Sequence, residues 1–417
     1  MDEIVINSAF LSTLLIEVVL LVLCEKRWWQ SFFTPITALA IPYTLVVLLA
    51  AVVGGHNGFV PLYYPSLAVW IIGLPVMSCV SFVMSIVFRS MPVTPKVQLS
   101  GLRHEGLYVS LMAGLLLLVA LHLRGTIASS LFAFGSDDFG EDFATFGIYG
   151  HIMTVLIAME IVAFAQIRPH KRWLYSGLIL LCVFFLFVNQ VKSWVIIPVL
   201  AGVWLCLSIG KLRLSIKLLM WVGLGGLLLF VLSYLVAFLI AQGVSYESHI
   251  GDYILSHVYH YLLSGVLGFS ELCRLDLIDQ PAPEALFAPI INLFNTIIGR
   301  EPISPINPNF LYIHSDAMLG TNIRTFFGTI YLYGGSMLFV PYILLVGAVG
   351  YAVHGWARRS NALYIHSIDA WFCALFAMGW FECYTFHLRT FEVPVILLVL
   401  HILSRTEWQR KEVVCLP

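Results

Sequence analysis

Most of the side chains suited to chemistry lie between Tyr253 and Tyr331 of this sequence. The stretch TNIRTFFGTIYLYGG, residues 321–335, sets an arginine ahead of glycines, threonines and tyrosines. On a helix, Arg324, Gly328, Tyr331 and Gly335 fall at i, i+4, i+7 and i+11, which is one face. Glycines there let another helix or a lipid-linked ligand come close. A guanidinium at the head of that face can hold a phosphate through two parallel hydrogen bonds. The plainer alternative is an anchor that snorkels to lipid phosphates. Lys192 stands between two apolar runs with almost no loop, a costly place for a charge unless it is paired or working. Arg274 and Arg300 sit in loops beside carboxylates that can pair with them. Arg389, near Glu382, His387 and Glu392, reads as an ion-pair lock.

Upstream, residues 248–267 read as a helix lying near the membrane interface. His249, Tyr253, His257 and Tyr261 share one stripe, with His260 and Ser264 beside it. Such a stripe suits stacking against sugar rings, and equally suits aromatic groups resting at headgroup depth. The proline-rich run PISPINPN, residues 302–309, is a loop. No paired carboxylates occur in residues 54–65, and Asp137, Asp138, Glu141 and Asp142 read as an acidic solvated loop, so no metal site is expected. The eight cysteines do not form a disulfide framework, since five fall inside apolar runs. Glu17, Glu160 and Asp369 also fall inside apolar runs, Asp369 near enough to one end to be wetted.

What must position these groups is a membrane. Of 417 residues, 60% are hydrophobic and 11% charged, against about a quarter charged in ordinary soluble domains. The apolar residues come in runs of roughly 17 to 23, each long enough to cross about 30 Å of hydrocarbon. The runs lie near 4–24, 33–53, 66–87, 107–123, 148–167, 174–191, 194–209, 218–240, 334–354, 364–384 and 391–404. The fold class expected is therefore all-α, a polytopic membrane protein of about eleven transmembrane helices with one large outer loop domain of short helices. Residues 1–240 supply eight helices, 241–333 the loop domain, and 334–417 three helices and a tail. The first run is full length, has no basic segment ahead of it and reads as a retained helix.

Most of the 22 Lys and Arg residues fall in alternate connections: Lys26 and Arg27; Arg89, Lys96 and Arg103; Arg168, Lys171 and Arg172; Lys211, Arg213 and Lys217; Arg358 and Arg359. Short basic loops stay in the cytoplasm. The expected N-terminus is outside, the C-terminus inside, and the large loop outside. The net charge of −1 gives no reason to expect nucleic acid. No internal repeat is visible.

Asn322, Thr325, Gly328, Tyr331 and the pair Gly334–Gly335, at the mouth of a late apolar run after a large loop, resemble the bacterial O-antigen polymerase (Wzy-type) family. Arg324, ten residues and Gly335 are similar to the arginine-x10-glycine pattern of that family's outer loops. Lys192–Ser193 resembles, in placement, an arginine-plus-small-residue pair at the outer end of a middle span, with lysine here in place of arginine. Tyr333 stands where many members have an acidic residue. Size, span count and loop placement agree over the full length, whereas the motif is short.

This resemblance implies a membrane glycosyltransferase of the bacterial inner membrane, working at its periplasmic face without a cofactor or metal. Its substrates would be oligosaccharide repeat units on undecaprenyl diphosphate, polymerised into O-antigen or a similar surface polysaccharide. A chain-length regulator in the same membrane is the implied partner. Arg324, Lys192, Arg274 and Arg300 would stabilise the leaving diphosphate. His314, Asp316 and His260 would supply the base for the acceptor hydroxyl. Tyr253, His257, Tyr261, Asn322 and Tyr331 would hold sugar. The alternatives are an O-antigen ligase, disfavoured because Thr321–Asn322 replaces that family's His-Asn pair, and a transporter or flippase of lipid-linked oligosaccharides, for which Glu17 and Glu160 would be the proton-coupling candidates.

Overall fold

A computed structural model describes residues 3–90, 102, 104–129, 147–188, 192–241, 250–278, 281–303, 310–315 and 320–405. Among these are thirteen α-helices: α1 (Glu3–Trp29), α2 (Pro35–Val53), α3 (Ala68–Arg89), α4 (Glu105–Ser129), α5 (Gly147–Gln166), α6 (Arg172–Val188), α7 (Lys192–Ser208), α8 (Ile216–Ala241), α9 (Ile250–Arg274), α10 (Ala288–Ile297), α11 (Phe326–Ala357), α12 (Leu363–Ala377) and α13 (Arg389–Arg405). Short 3₁₀ turns precede α3, α10 and α13. Helices α1 to α5 and α11 are each long and apolar enough to cross a membrane, while α6, α7, α8 and α12 hold shorter apolar segments. Each apolar run read from the sequence overlaps one of these helices along its described residues.

Local chemistry sets the ends. Thr34 and Thr37 form a capping box ahead of Pro35 at the start of α2. Thr325 caps α11 by accepting from the Gly328 N–H. The outside of the bundle is apolar: Ile16, Val19, Leu20 and Leu23 of α1 and Leu117 and Leu121 of α4 are all exposed. In water such a surface would aggregate, whereas hydrocarbon tolerates it. Inside, α11 packs chiefly on α3, and α12 on α7. Trp70 of α3 lies flat on Tyr43 of α2 and meets the Phe327 ring edge-on at 4.7 Å. Gly73 makes that approach possible, because a Cβ there would stand 2.8 Å from the Phe327 ring.

The basic connections gather at one end, where Arg359 donates to the Phe88 carbonyl, Lys171 pairs with Glu105, and Lys211 donates to the Phe164 carbonyl. The opposite end carries the cap: residues 54–63, α9, α10, residues 310–315 and 320–325, and the 378–388 connection. Backbone bonds lock these pieces together, Val60 N to Ile313 O (3.0 Å) and Phe326 N to Gly379 O (2.7 Å) among them.

The cap departs from the sequence reading in four ways. It is not made of short helices alone: β1 (Leu311–Tyr312) and β2 (Gly320–Thr321) form an antiparallel hairpin, extended by a bridge between Phe59 and His314. Helix α9 continues to Arg274, and the buried stretch Leu263–Leu272 shows why, since it has core to cover. Helix α11 starts at Phe326, because Thr321 is spent on the hairpin and Thr325 takes the cap. This one helical element crosses the 333/334 boundary, broken at Gly335 by a φ of 56° that only glycine adopts easily. Finally, α12 stops at Ala377, seven residues before the apolar run ends, where the chain turns to bond with the start of α11.

Candidate functional site

Arg324 is the centre of the cap. Lying just before the helix cap, it is 2% exposed, and its Nη1 donates to the carbonyls of Ile323 (2.7 Å) and Thr321 (3.3 Å). Gly268 of α9 makes room for it, since a Cβ there would stand 3.0 Å from Nη1 and 2.8 Å from the Ile323 oxygen. Burial pushes the guanidinium down to about 10, partly offset by Tyr333 and Cys273, so it is charged at neutral pH. The same burial pushes the Cys273 thiol up to about 12. A dry, fixed cation of this kind acts more strongly on a developing anion than one in water.

The single face read for Arg324, Gly328, Tyr331 and Gly335 does not exist. Arg324 precedes the helix and Gly335 sits at its break. The space beside the glycines is filled by the chain itself. A Cβ at Gly328 would meet Phe269 at 2.7 Å, at Gly334 Leu286 at 3.1 Å, and at Gly335 Pro281 at 2.7 Å. Tyr331 is half-buried with its ring edge-on to Phe339, and Asn322 is half-buried between β2 and α11.

The remaining expected residues scatter. Arg274 is held by Glu271 through Nε–Oε2 (2.7 Å) and Nη2–Oε1 (2.5 Å), which raises its affinity for its proton. Arg300 is exposed beyond the end of α10. Lys192 starts α7 and Tyr253 lies on α9, but their side chains, like the whole of Asp316, are outside the described residues; so are His249 and the acidic loop from Asp137 to Asp142. His257 and His260 are half-buried on α9. Tyr261 is no open sugar platform, because Phe381 stacks on it at 4.4 Å and Trp380 meets it edge-on. His314 donates from Nε2 to the Asn57 carbonyl at 2.7 Å, tying the hairpin to the first cap loop.

A second polar group lies in the 378–388 connection. Tyr333 is within electrostatic reach of both Arg324 and Glu382, and Glu382 Oε1 faces His387 Nε2 at 3.4 Å. Both side chains are about a third exposed, at 28% and 31%. A carboxylate on one ring nitrogen orients the imidazole and leaves Nδ1 to accept a proton. The His387 ring is framed by Trp194 (5.4 Å) and Tyr384 (5.7 Å), and the Arg389 guanidinium lies over Trp194 at 5.3 Å. Around Arg389, Glu382 meets His387, Glu392 meets His151 at 2.6 Å and acts electrostatically on the arginine, and the guanidinium covers an indole. The sequence signal was the polar segment Glu382–Arg389 between two apolar runs, which a helical reading through residue 384 obscured.

From Tyr384, Thr385 and Thr390 an apolar groove of about 240 Å³ runs down between α10, α11 and α12, and opens sideways past the exposed Ile290, Leu345 and Val349. Among the described residues no three His, Cys, Asp or Glu side chains converge as metal ligands.

No curated protein and no solved structure matches the chain. A family profile does match, over residues 58–410. It covers the groove, Arg324 and the Glu382–His387 pair, and by it the chain belongs to a protein family of unknown function (DUF6337).

Proposed function

We propose that this protein is a bacterial inner-membrane glycosyltransferase that polymerises oligosaccharide repeat units carried on undecaprenyl diphosphate, without a metal. In this reading the eleven apolar helices span the membrane, the N-terminus and the cap face the periplasm, and the C-terminus faces the cytoplasm. The support comes from three features of the cap end: the buried guanidinium of Arg324, the Glu382–His387 pair with Arg389 near it in sequence, and the apolar groove that starts at Tyr384, Thr385 and Thr390 and opens sideways. A lipid-diphosphate sugar needs those three things together: apolar space for the tail, cations for the diphosphate, and a base for the acceptor.

The chemistry follows from the residues. The acceptor oxygen forms a bond to the anomeric carbon as the bond from that carbon to the diphosphate oxygen breaks. His387 Nδ1 takes the acceptor hydroxyl proton while Glu382 holds the imidazolium that results. Arg324 and Arg389 balance the charge gathering on the diphosphate. His314 keeps its Nε2 on the Asn57 carbonyl and positions the hairpin.

The test uses full-length protein in lipid nanodiscs with one lipid-diphosphate-linked repeat unit and no nucleotide. A product ladder spaced by one repeat, unaffected by chelator, is expected from the wild type. His387→Gln and Arg324→Ala should each lower it by about a hundredfold or more. A ladder that survives both substitutions keeps the activity and discards this site. A folded wild type that makes no ladder from the correct substrate discards the activity and favours movement of lipid-linked sugar across the bilayer, the reading that the buried carboxyls Glu17 and Glu160 also fit.

A further inference from the structure

At the end of the bundle opposite the cap, four helices bury a second set of ionisable groups. Glu25 of α1 is 0% exposed, and His354 of α11 and Asp369 of α12 are each 3% exposed. Asp369, expected at the wetted end of its helix, is instead covered. The hydrogen-bond directions are fixed by chemistry. Trp29 Nε1 can only donate, so Ser81 Oγ of α3 accepts it at 2.9 Å and gives its own proton to Glu25 Oε1. His354 Nδ1 lies 3.0 and 3.2 Å from the two oxygens of Asp369, so Nδ1 donates to the carboxylate and Nε2 is left with the free lone pair.

Two atoms are left over. Glu25 Oε2 and His354 Nε2 are buried and have no hydrogen-bond partner among the described residues. The two groups belong to one cluster, because the Trp29 ring meets His354 edge-on at 5.0 Å and the charge of His354 acts on Glu25. The other groups facing the cluster are Thr34 ahead of α2, Tyr351 and Arg358 from α11, and His366 and Cys373 from α12. Arg358 and Asp369 interact electrostatically. Polar atoms buried this deeply are costly to leave unmatched in the interior of a membrane protein.

We propose that Glu25, His354 and Asp369 form a buried proton-binding site, in which one proton moves between Glu25 Oε2 and His354 Nε2. In the step the O–H bond at Glu25 breaks and an N–H bond at His354 forms, relayed by water because the two atoms are not in contact. A neutral acid, a neutral imidazole and one carboxylate become an imidazolium between two carboxylates, and the net charge stays at −1. Loss of the proton leaves two carboxylates close together, which makes the site avid for its return. The site is independent of the cap and of the activity assigned to it.

Infrared spectra of the full-length protein in nanodiscs, recorded across pH, test this directly. The wild-type minus Glu25→Gln difference spectrum should show a protonated-carboxyl band that moves in heavy water and disappears on alkalinisation, the buried carboxyls Glu17 and Glu160 being common to both proteins. In Asp369→Asn, loss of the nearby negative charge should release the proton about one pH unit lower or more. Nitrogen-15 spectra of histidine-labelled wild type, assigned with His354→Gln, supply a readout that needs no change at Glu25. One imidazole should keep its Nδ1 proton while Nε2 titrates together with the carboxyl band. A difference spectrum without that band, or His354 nitrogens unchanged across the range, would each overturn the proposal.

Discussion

The Trp70 indole donates to the Thr325 hydroxyl at 3.0 Å, joining α3 to the first turn of α11 across 255 residues of sequence. The same oxygen caps α11 by accepting from Gly328, and Thr329 closes the turn by donating to the Arg324 and Thr325 carbonyls. Thr325→Val should therefore remove a cap and orphan a buried indole N–H together. A loss of about 1–3 kcal/mol is expected, read as a lowered unfolding midpoint in detergent, with Thr325→Ser recovering most of it. An unchanged midpoint in the valine variant would show that the bond carries no stability.

Because Arg324 is held against a glycine, it can be disturbed without being touched. A Cβ at residue 268 would press on both the Ile323 carbonyl and Nη1 of Arg324. Gly268→Ala should lower the polymerising activity by about tenfold or more while the fold survives, since small displacements of a positioned cation are felt strongly. Gly114→Ala, where a Cβ meets nothing within 4 Å, is the matched control and should be neutral. Equal activity in the two variants would place Arg324 outside the chemistry.

These two relationships show what the sequence could and could not carry. The apolar runs were legible because hydrocarbon thickness imposes a length on each of them, and each overlaps a helix, although α12 ends seven residues before its run does. The start of α11 was not. TNIR has the composition of a helix start, but Thr321 is claimed by Leu311 of the hairpin, a partner ten residues earlier in the chain. Arg324 was recognisable as an unusual cation, whereas its burial depends on Gly268 in another helix. Glu25 and Asp369 gave no joint signal, since Trp29, Ser81 and His354 are brought together only by packing.

The cap cysteines supply a pH test. Cys273 and Cys383 are free thiols, and burial pushes both up to about 12 from an ordinary value of 9. The native state keeps protons that the unfolded chain has already released above pH 9. The stability these thiols add is therefore complete below that pH and is lost as pH rises toward about 12, at roughly 1.4 kcal/mol per unit for each thiol. Denaturation midpoints measured from pH 8 to pH 11 should fall more steeply in the wild type than in a Cys273→Ala, Cys383→Ala variant. Maleimide labelling of either thiol in the native protein at pH 7 should be slow, with about a thousandfold less thiolate than in the unfolded chain. Rapid labelling would contradict the burial.

Glu160 separates structure from transport. It lies at the centre of α5, is 0% exposed, and neither carboxyl oxygen has a hydrogen-bond partner among the described residues. A polar group left unmatched in an apolar core adds its desolvation cost to the folded state. If Glu160 has no role, Glu160→Met should raise the unfolding midpoint and Glu160→Gln should be near neutral, with the polymer ladder intact in both. If the chain instead moves lipid-linked sugars in exchange for protons, Glu160→Gln should abolish proton-driven uptake in proteoliposomes while leaving the fold undisturbed. The two measurements on one variant give opposite results under the two functions, so Glu160→Gln decides between them even if the substrate of the cap is misassigned.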